Sequence, residues 1–438
     1  MMPNTATDTN IDPLPPYPRL GECYRLLAKA LGTKASNRQL DRLAREGDFD
    51  WQLLAQLRDE LIETPLRAKS NNTFGQFVAV AIETLHDGYV DLIKTVALDA
   101  LTREQSLPAL ITHQFAPFAA SFLLQLQKAV PSPPLAALVD AQKHPVAVVF
   151  AWLECELNVE SHQLRQLLFT DATGENKNGR ELIQRWRLGQ QLPELQSVSL
   201  LQKKLHDVFP NRAPLIKAFT EWMIVARALA VLDEAAAPYL SLRNVILREV
   251  LSNVPLENIG VILSALNIHG AAHKRKLVEG GLLLFEQLKR TTPKALGDQA
   301  RTRYALDQFR LLLSRQDPQG ISTYYLEWLE GRWYVLAGQL DAARAHYERA
   351  ADLALYRSGE TQKDILREAL LLAAYLGDRP LYKRLKHRAL VMDLSWLPGW
   401  EKSVATAHEL KLIRDNFTLK FPERGRFVDQ VAPLCTLH

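Results

Sequence analysis

The chain has 438 residues, 47% of them hydrophobic and 23% charged, and 53 Lys and Arg against 49 Asp and Glu leave a formal net charge of +4. That length supports more than one domain and a well-buried core, and the balance excludes a wholly disordered chain. So small a charge excludes a protein that coats nucleic acid wholesale, while leaving room for a local basic patch.

The first residues, MMPNTATDTNIDPLPPYP, lack the basic and apolar regions of a secretory signal. Residues 1–18 read as a disordered tail. From Leu20 onward the pattern is helical. YRLLAKAL sets Tyr24, Leu27 and Leu31 on one stripe, and FDWQLLAQLRDELI does the same with Trp51, Leu54, Leu57 and Leu61. The stretch SLPALITHQFAPFAASFLLQLQ is apolar but is expected to break at Pro108, His113, Gln114 and Pro117, so no membrane span is expected. VPSPPLAAL should end one helix and start another. TDATGENKNG over 170–179 reads as a polar loop, and FPNRAP, LSNVPLENIG, TTPKALGD and SRQDPQGIS as further breaks. Sustained period-2 alternation and Asn-Gly hairpins are missing from the sequence. The fold class expected is all-α.

Cys23, Cys155 and Cys435 lie far apart and form no C-x-x-C, so neither a zinc knuckle nor a redox pair is expected. A sparse cysteine count fits a reducing, cytoplasmic compartment. The sequence carries no Walker-type phosphate loop, G-x-S-x-G, H-E-x-x-H or G-x-G-x-x-G. We therefore expect no enzyme, no metal and no cofactor. His269 and His273 have the spacing of two ligands on one helix face, without an acidic partner nearby in sequence.

Residues 180–205 read RELIQRWRLGQQLPELQSVSLLQKKL. A short helix over Glu181–Leu188 should end at Gly189, and a second should start at Leu192-Pro193, with Leu195, Val198, Leu201, Leu205 and Val208 as its core stripe. SHQLRQLLF (161–169) is the candidate preceding helix, and Trp186 should pack under the turn. The Trp186-Arg187-x-Gly189-x-x-x-Pro193 pattern resembles the end of the recognition helix in phage-repressor-type (XRE-type) helix-turn-helix regulators. The resemblance implies that Lys177, Asn178, Arg180 and Gln184 face base edges, with Arg185 and Arg187 as phosphate contacts or surface charges. It also implies a homodimer, which would double the reading surface. The alternative is a purely structural helix-turn-helix.

Residues 324–355 read YYLEWLEGRWYVLAGQLDAARAHYERAADLAL. Gly331, Tyr334, Gly338, Ala343, Tyr347 and Ala350 fall where a tetratricopeptide (TPR) unit has its small, aromatic and turn residues, so this stretch resembles one such unit. Trp328 is one place late for the motif's first aromatic, and Glu330 stands at its leucine position. Gly377-Asp378 and Gly297-Asp298 suggest neighbouring turns at a spacing near 40 residues. The resemblance implies a TPR-like α-solenoid in the C-terminal half whose groove binds a protein or peptide. Tyr324, Tyr325, Trp328 and Trp333 are its candidate partner-binding anchors, with packing between helices as the other reading. Basic clusters at 273–276 and in YKRLKHR (382–388) read as solvated faces, or as a patch for an acidic partner or a nucleic-acid backbone.

The expected order is a helical N-terminal domain over 19–135 and a helical middle domain over 136–250, with the helix-turn-helix-like segment at 160–208. TPR-like repeats follow over 251–400, then a C-terminal helix and tail over 401–438. The function expected is a non-enzymatic adaptor that binds a protein or peptide, the alternative being a DNA-binding regulator with a TPR-like sensing region.

Overall fold

The structure is a computed structural model. It describes residues 14–33, 58–69, 72–171, 174–175, 177–252, 258–291, 296–394 and 406–416. The Trp51, Leu54 and Leu57 stripe and Cys435 lie outside them. The described residues are all-α. Their one strand pairing is a two-residue antiparallel ladder, with Thr170 opposite Glu175 and Asp171 opposite Gly174, inside the expected polar loop.

In chain order the first helices are α1 (Leu20–Leu31), α2 (Thr64–Lys69), α3 (Asn72–Thr95), α4 (Arg103–Leu110) and α5 (Ala116–Ala129). Then come α6 (Leu135–Leu138), α7 (Pro145–Leu157), α8 (Ser161–Phe169), α9 (Lys177–Arg187), α10 (Leu195–Val208), α11 (Ala213–Ala236) and α12 (Leu242–Leu251). The C-terminal part holds α13 (Ile259–His273), α14 (Arg275–Arg290), α15 (Leu296–Gln316), α16 (Thr323–Leu336), α17 (Leu340–Ala354), α18 (Thr361–Leu376), α19 (Arg379–Val391) and α20 (Ala407–Asn416).

The chain divides into two compact units. Neither is a continuous stretch of the chain. One unit comprises Arg19–Val90 and Leu107–Ile259, and the other Met1–Pro18, Asp91–Ser106 and Gly260–His438.

In the first unit α11 is the central helix, packed by α1, α7, α10 and α12. Phe219, Trp222, Met223, Ile224 and Ala226 are all buried on it. Burying apolar surface is worth about 25 cal/mol per Å², so each of these side chains favours the folded unit. The buried indole of Trp222 donates to the Pro131 carbonyl at 3.0 Å, so its polar edge is satisfied. Arg243 is buried as well. It donates to the Leu138 carbonyl at 3.2 Å, to the Lys143 carbonyl at 2.5 Å and to the Asp140 carbonyl, fixing the loop after α6.

The prolines of SLPALITHQFAPFAASFLLQLQ do not break the helix there. A helical run covers Arg103–Ala129, with a π-helical turn at Ile111–Phe115 after Pro108. Pro117 sits in the first turn of α5, the position where a missing N–H costs least. A wider turn relieves the clash that a proline ring makes with the carbonyl one turn back. The run is long and apolar enough to cross a bilayer by length and composition, and a third of its apolar window is buried. Leu123 and Leu126 are among its buried side chains, and α5 packs on α12.

In the second unit consecutive helices pack in sequence order: α14 on α15, α15 on α16, α16 on α17, α17 on α18, and α18 on both α19 and α20. Residues 91–106 belong here because their polar groups are taken up by it. Asp99 accepts from the Tyr324 hydroxyl and from the Asn267 amide, both at 2.9 Å, and the Leu98 N–H donates to the Arg357 carbonyl at 2.7 Å. The end of the expected disordered tail is ordered for the same reason. Pro15, Pro16 and Tyr17 are buried. The Arg103 guanidinium donates to the Pro15 carbonyl at 2.9 Å, and the Ser106 hydroxyl to the Pro16 carbonyl at 2.6 Å.

Candidate interaction surfaces

The stretch that resembles a TPR unit folds as a helix hairpin, α16 and α17, turning at Gly338 with φ 72°. Gly331 is required by close approach. A Cβ there would lie 2.9 Å from the Tyr347 ring, while Ala343 and Ala350 on the facing helix are fully buried. Small residues let the two axes approach, and the Tyr347 ring fills the gap beside them. Tyr334 stacks on His346, with ring centroids 5.0 Å apart. The α18–α19 hairpin turns at Gly377, φ 71°. Gly297 is not a turn. It lies in the first turn of α15, so the expected spacing from Gly297 to Gly338 does not hold as a distance between turns.

Glu330 occupies the place where the motif has an apolar residue, and it is buried. Arg303 of α15 donates to it at 2.6 and 3.0 Å, and Arg310 adds a further ion pair. A second buried carboxylate, Glu368 on α18, accepts from the Trp328 indole at 2.8 Å, the Tyr347 hydroxyl at 2.7 Å and Arg332 Nε at 3.0 Å. Arg332 also stacks over the Phe285 ring at 4.3 Å. One carboxylate thus accepts hydrogen bonds from both helices of the hairpin and ties it to the next helix, because a buried charge is tolerated only where its lone pairs are used.

The four aromatic anchors expected of a groove belong to this core. Tyr324 and Trp328 are buried, and their polar atoms bind Asp99 and Glu368. Burial raises the Tyr324 pKa well above the usual phenol value, and the Asp99 charge raises it further. Tyr325 is half-buried, donates to the Gly281 carbonyl at 3.4 Å, and has its pKa pushed up to about 12 by burial. Trp333 donates to the Gln299 carbonyl at 3.2 Å under the Arg303 guanidinium. These rings fill space between helices, and each polar handle has found a partner inside the unit. The basic run 382–388 is spent likewise. Lys386 and Arg388 are buried against Glu409 and Asp352, and Arg384 pairs with Glu348.

The surface that remains apolar lies elsewhere. Thirteen large hydrophobic side chains are exposed among the described residues, and eight of them sit on α13, α14 and α15: Val261, Leu266, Ile268, Val278, Leu282, Leu283, Tyr304 and Leu311. Sequence periodicity alone did not single these out, because each of these helices also buries apolar residues on its other side, such as Leu263, Leu277, Leu284 and Leu306. The signal available was an excess of apolar residues over what one packed stripe needs. Arg275 and Lys276 precede Val278, and Lys289 and Arg290 follow Leu283, all exposed. His269 and His273 are exposed on α13 with rings 5.1 Å apart. Among the described residues no group of three or more His, Cys, Asp or Glu is placed to hold a metal ion.

In the helix-turn-helix-like segment, α8 covers 161–169 as expected, and α9 starts earlier than expected, at Lys177. Gly189 takes the left-handed conformation after α9, with φ 70°. The next helix begins at Leu195, two residues beyond Pro193. Trp186, Leu195, Val198, Leu201 and Leu205 are buried, and Val208 is half-buried. Arg185 and Gln184 are exposed and Arg180 is half-buried, while the side chains of Lys177 and Asn178 lie outside the described part. Arg187 is not a surface charge. It pairs with Glu154 of α7, donates to the Ser161 hydroxyl at 3.0 Å, and stacks over the Phe150 ring at 4.7 Å. A guanidinium held on three sides inside the unit is withdrawn from any phosphate. Comparison with known families, curated proteins and solved structures finds no match to this chain.

Proposed function

We propose that this protein is a non-catalytic interaction protein whose TPR-like helical repeats present α14 and α15 to a protein or peptide partner. The observation that carries the reading is the concentration of exposed apolar side chains on helices that are otherwise well packed. Contiguous exposed apolar surface on a soluble protein marks a binding site more often than chance decoration. The partner it suits is an apolar segment flanked by acidic residues, because exposed Lys276 and Lys289 flank Leu282 and Leu283 on α14, while Arg275 and Arg290 pair with Glu279 and Glu286 of the same helix. The buried carboxylates at 330 and 368 serve this reading by holding the repeats rigid, so that binding does not have to order them.

The test is selection from a displayed peptide library on the immobilised full-length chain, alongside a Leu282→Glu/Leu283→Glu variant. These side chains are 57% and 73% exposed, so the variant should keep its fold. The expected result is enrichment of apolar peptides bearing Asp or Glu at their ends, reduced at least about tenfold by the variant. Enrichment that the variant does not change, or none at all, overturns the reading.

One observation favours the DNA-binding alternative: three helices in the expected order, with a left-handed Gly189 closing the candidate recognition helix. On that reading Arg180, Gln184 and Arg185 contact the duplex and Arg187 positions the helix. Fluorescence anisotropy against duplex DNA at several salt concentrations discriminates the two. Salt-dependent binding that Arg180→Ala/Arg185→Ala weakens favours the regulator.

A further inference from the structure

Helix α13 is unlike its neighbours. Its fifteen residues, IGVILSALNIHGAAH, contain no Asp, Glu, Lys or Arg, and Leu263 is the one buried hydrophobic on it. Val261, Ala265, Ile268 and Ala272 are all exposed, Val261 and Ile268 at 67% and 70%. They recur at intervals of four, three and four, so they form one narrow stripe opposite Leu263. That is the spacing of a helix–helix seam.

The stripe has an internal complementarity. Read forward it is Val–Ala–Ile–Ala, and read backward it is Ala–Ile–Ala–Val. An antiparallel copy of the same helix therefore sets Val261 against Ala272 and Ala265 against Ile268, a large side chain against a small one at every level. Alternating sizes let side chains interdigitate and the two axes approach closely. A two-fold interface requires this self-complementarity. The seam also brings no like charges together. Helix α14 fails the same test, because an antiparallel copy centred on Leu282 and Leu283 would put Arg275 against Arg290 and Glu279 against Glu286.

We infer that the protein forms a homodimer in which α13 packs antiparallel against α13 of a second copy. This goes beyond the partner surface on α14 and α15 and does not depend on it. One helix face is at the small end of stable interfaces, so the dimer should dissociate in roughly the micromolar range.

The test is the mass of the full-length chain by sedimentation velocity from about 1 to 200 µM, a range set to bracket that affinity. The wild type should move from 49.5 kDa towards twice that mass as concentration rises. Ile268→Glu should stay monomeric throughout with an unchanged circular dichroism spectrum. Leu282→Glu/Leu283→Glu should dimerise like the wild type, which separates failure here from failure of the partner surface. Orientation is read by oxidising a mixture of Ala265→Cys and Ile268→Cys proteins and mapping the linked peptides. The antiparallel seam predicts the mixed 265–268 linkage above either like linkage. A wild-type chain monomeric at every concentration, a dimer that Ile268→Glu does not touch, or dominant 265–265 and 268–268 linkages overturns the proposal. The first of these outcomes would leave the stripe to a different chain or an apolar surface.

Discussion

Replacing Glu368 with Leu should unfold the C-terminal hairpins more readily than any surface change of similar size. The carboxylate is buried and accepts from Trp328, Tyr347 and Arg332. Leucine fills much of the volume but removes the acceptor that all three donors share. The severest loss falls on Arg332, whose side chain is only 10% exposed and which pairs with Glu368. Removing one member of a buried pair costs about 3–5 kcal/mol, because the remaining charge is left uncompensated. For a unit of this size that corresponds to a fall of about 6–20 °C in the melting temperature. The assay is calorimetry with far-UV circular dichroism, fitted per transition because two units need not unfold together. A double-mutant cycle isolates the pair. Arg332→Met with Glu368→Leu should recover a large part of the loss, since two apolar groups of similar shape replace a pair that paid heavily in desolvation. A loss under about 1 kcal/mol for Glu368→Leu, or a coupling near zero in the cycle, would refute the claim that this carboxylate ties the helices together.

Gly331→Ala tests the close approach within the α16–α17 hairpin. Alanine gains about 1 kcal/mol of helix propensity, but its methyl would meet the buried Tyr347 ring at 2.9 Å. Overpacking of that kind costs about 1–3 kcal/mol, so urea unfolding should show net destabilisation, and a stabilised variant would contradict the packing described. His144 should make the first unit sensitive to acid. Burial, and then the Arg243 charge, lower its pKa below the ordinary histidine value of about 6.5. A group whose folded pKa is depressed contributes stability that is present above its unfolded pKa and lost as pH falls. The melting temperature should therefore fall below about pH 6.5, and His144→Gln should flatten that slope. An unchanged slope in the variant would assign the acid sensitivity to other groups.

The sequence by itself determined the secondary structure class and most of the punctuation. Helix α8 lies where the pattern set it, Gly189 closes α9, and Gly338 turns the hairpin. Those features are local: periodicity, a residue that tolerates positive φ and a broken apolar run act over a few neighbours. The π-helical turn that holds His113, four residues before Pro117, was not legible, because a helix can absorb a proline by widening the turn that precedes it when packing holds both sides. Tertiary structure decided which side chains were available for function. Trp328, Tyr324 and Arg187 read in sequence as binding residues, and long-range partners at Glu368, Asp99 and Glu154 draw them into the interior. Val261, Ile268 and Leu283 carry no mark in the sequence that sets them apart from the buried Leu263 and Leu284, and they are exposed. A helix's periodicity reports how many apolar residues it has and on which side. Whether that side is covered depends on what folds against it from elsewhere in the chain, or on another chain altogether.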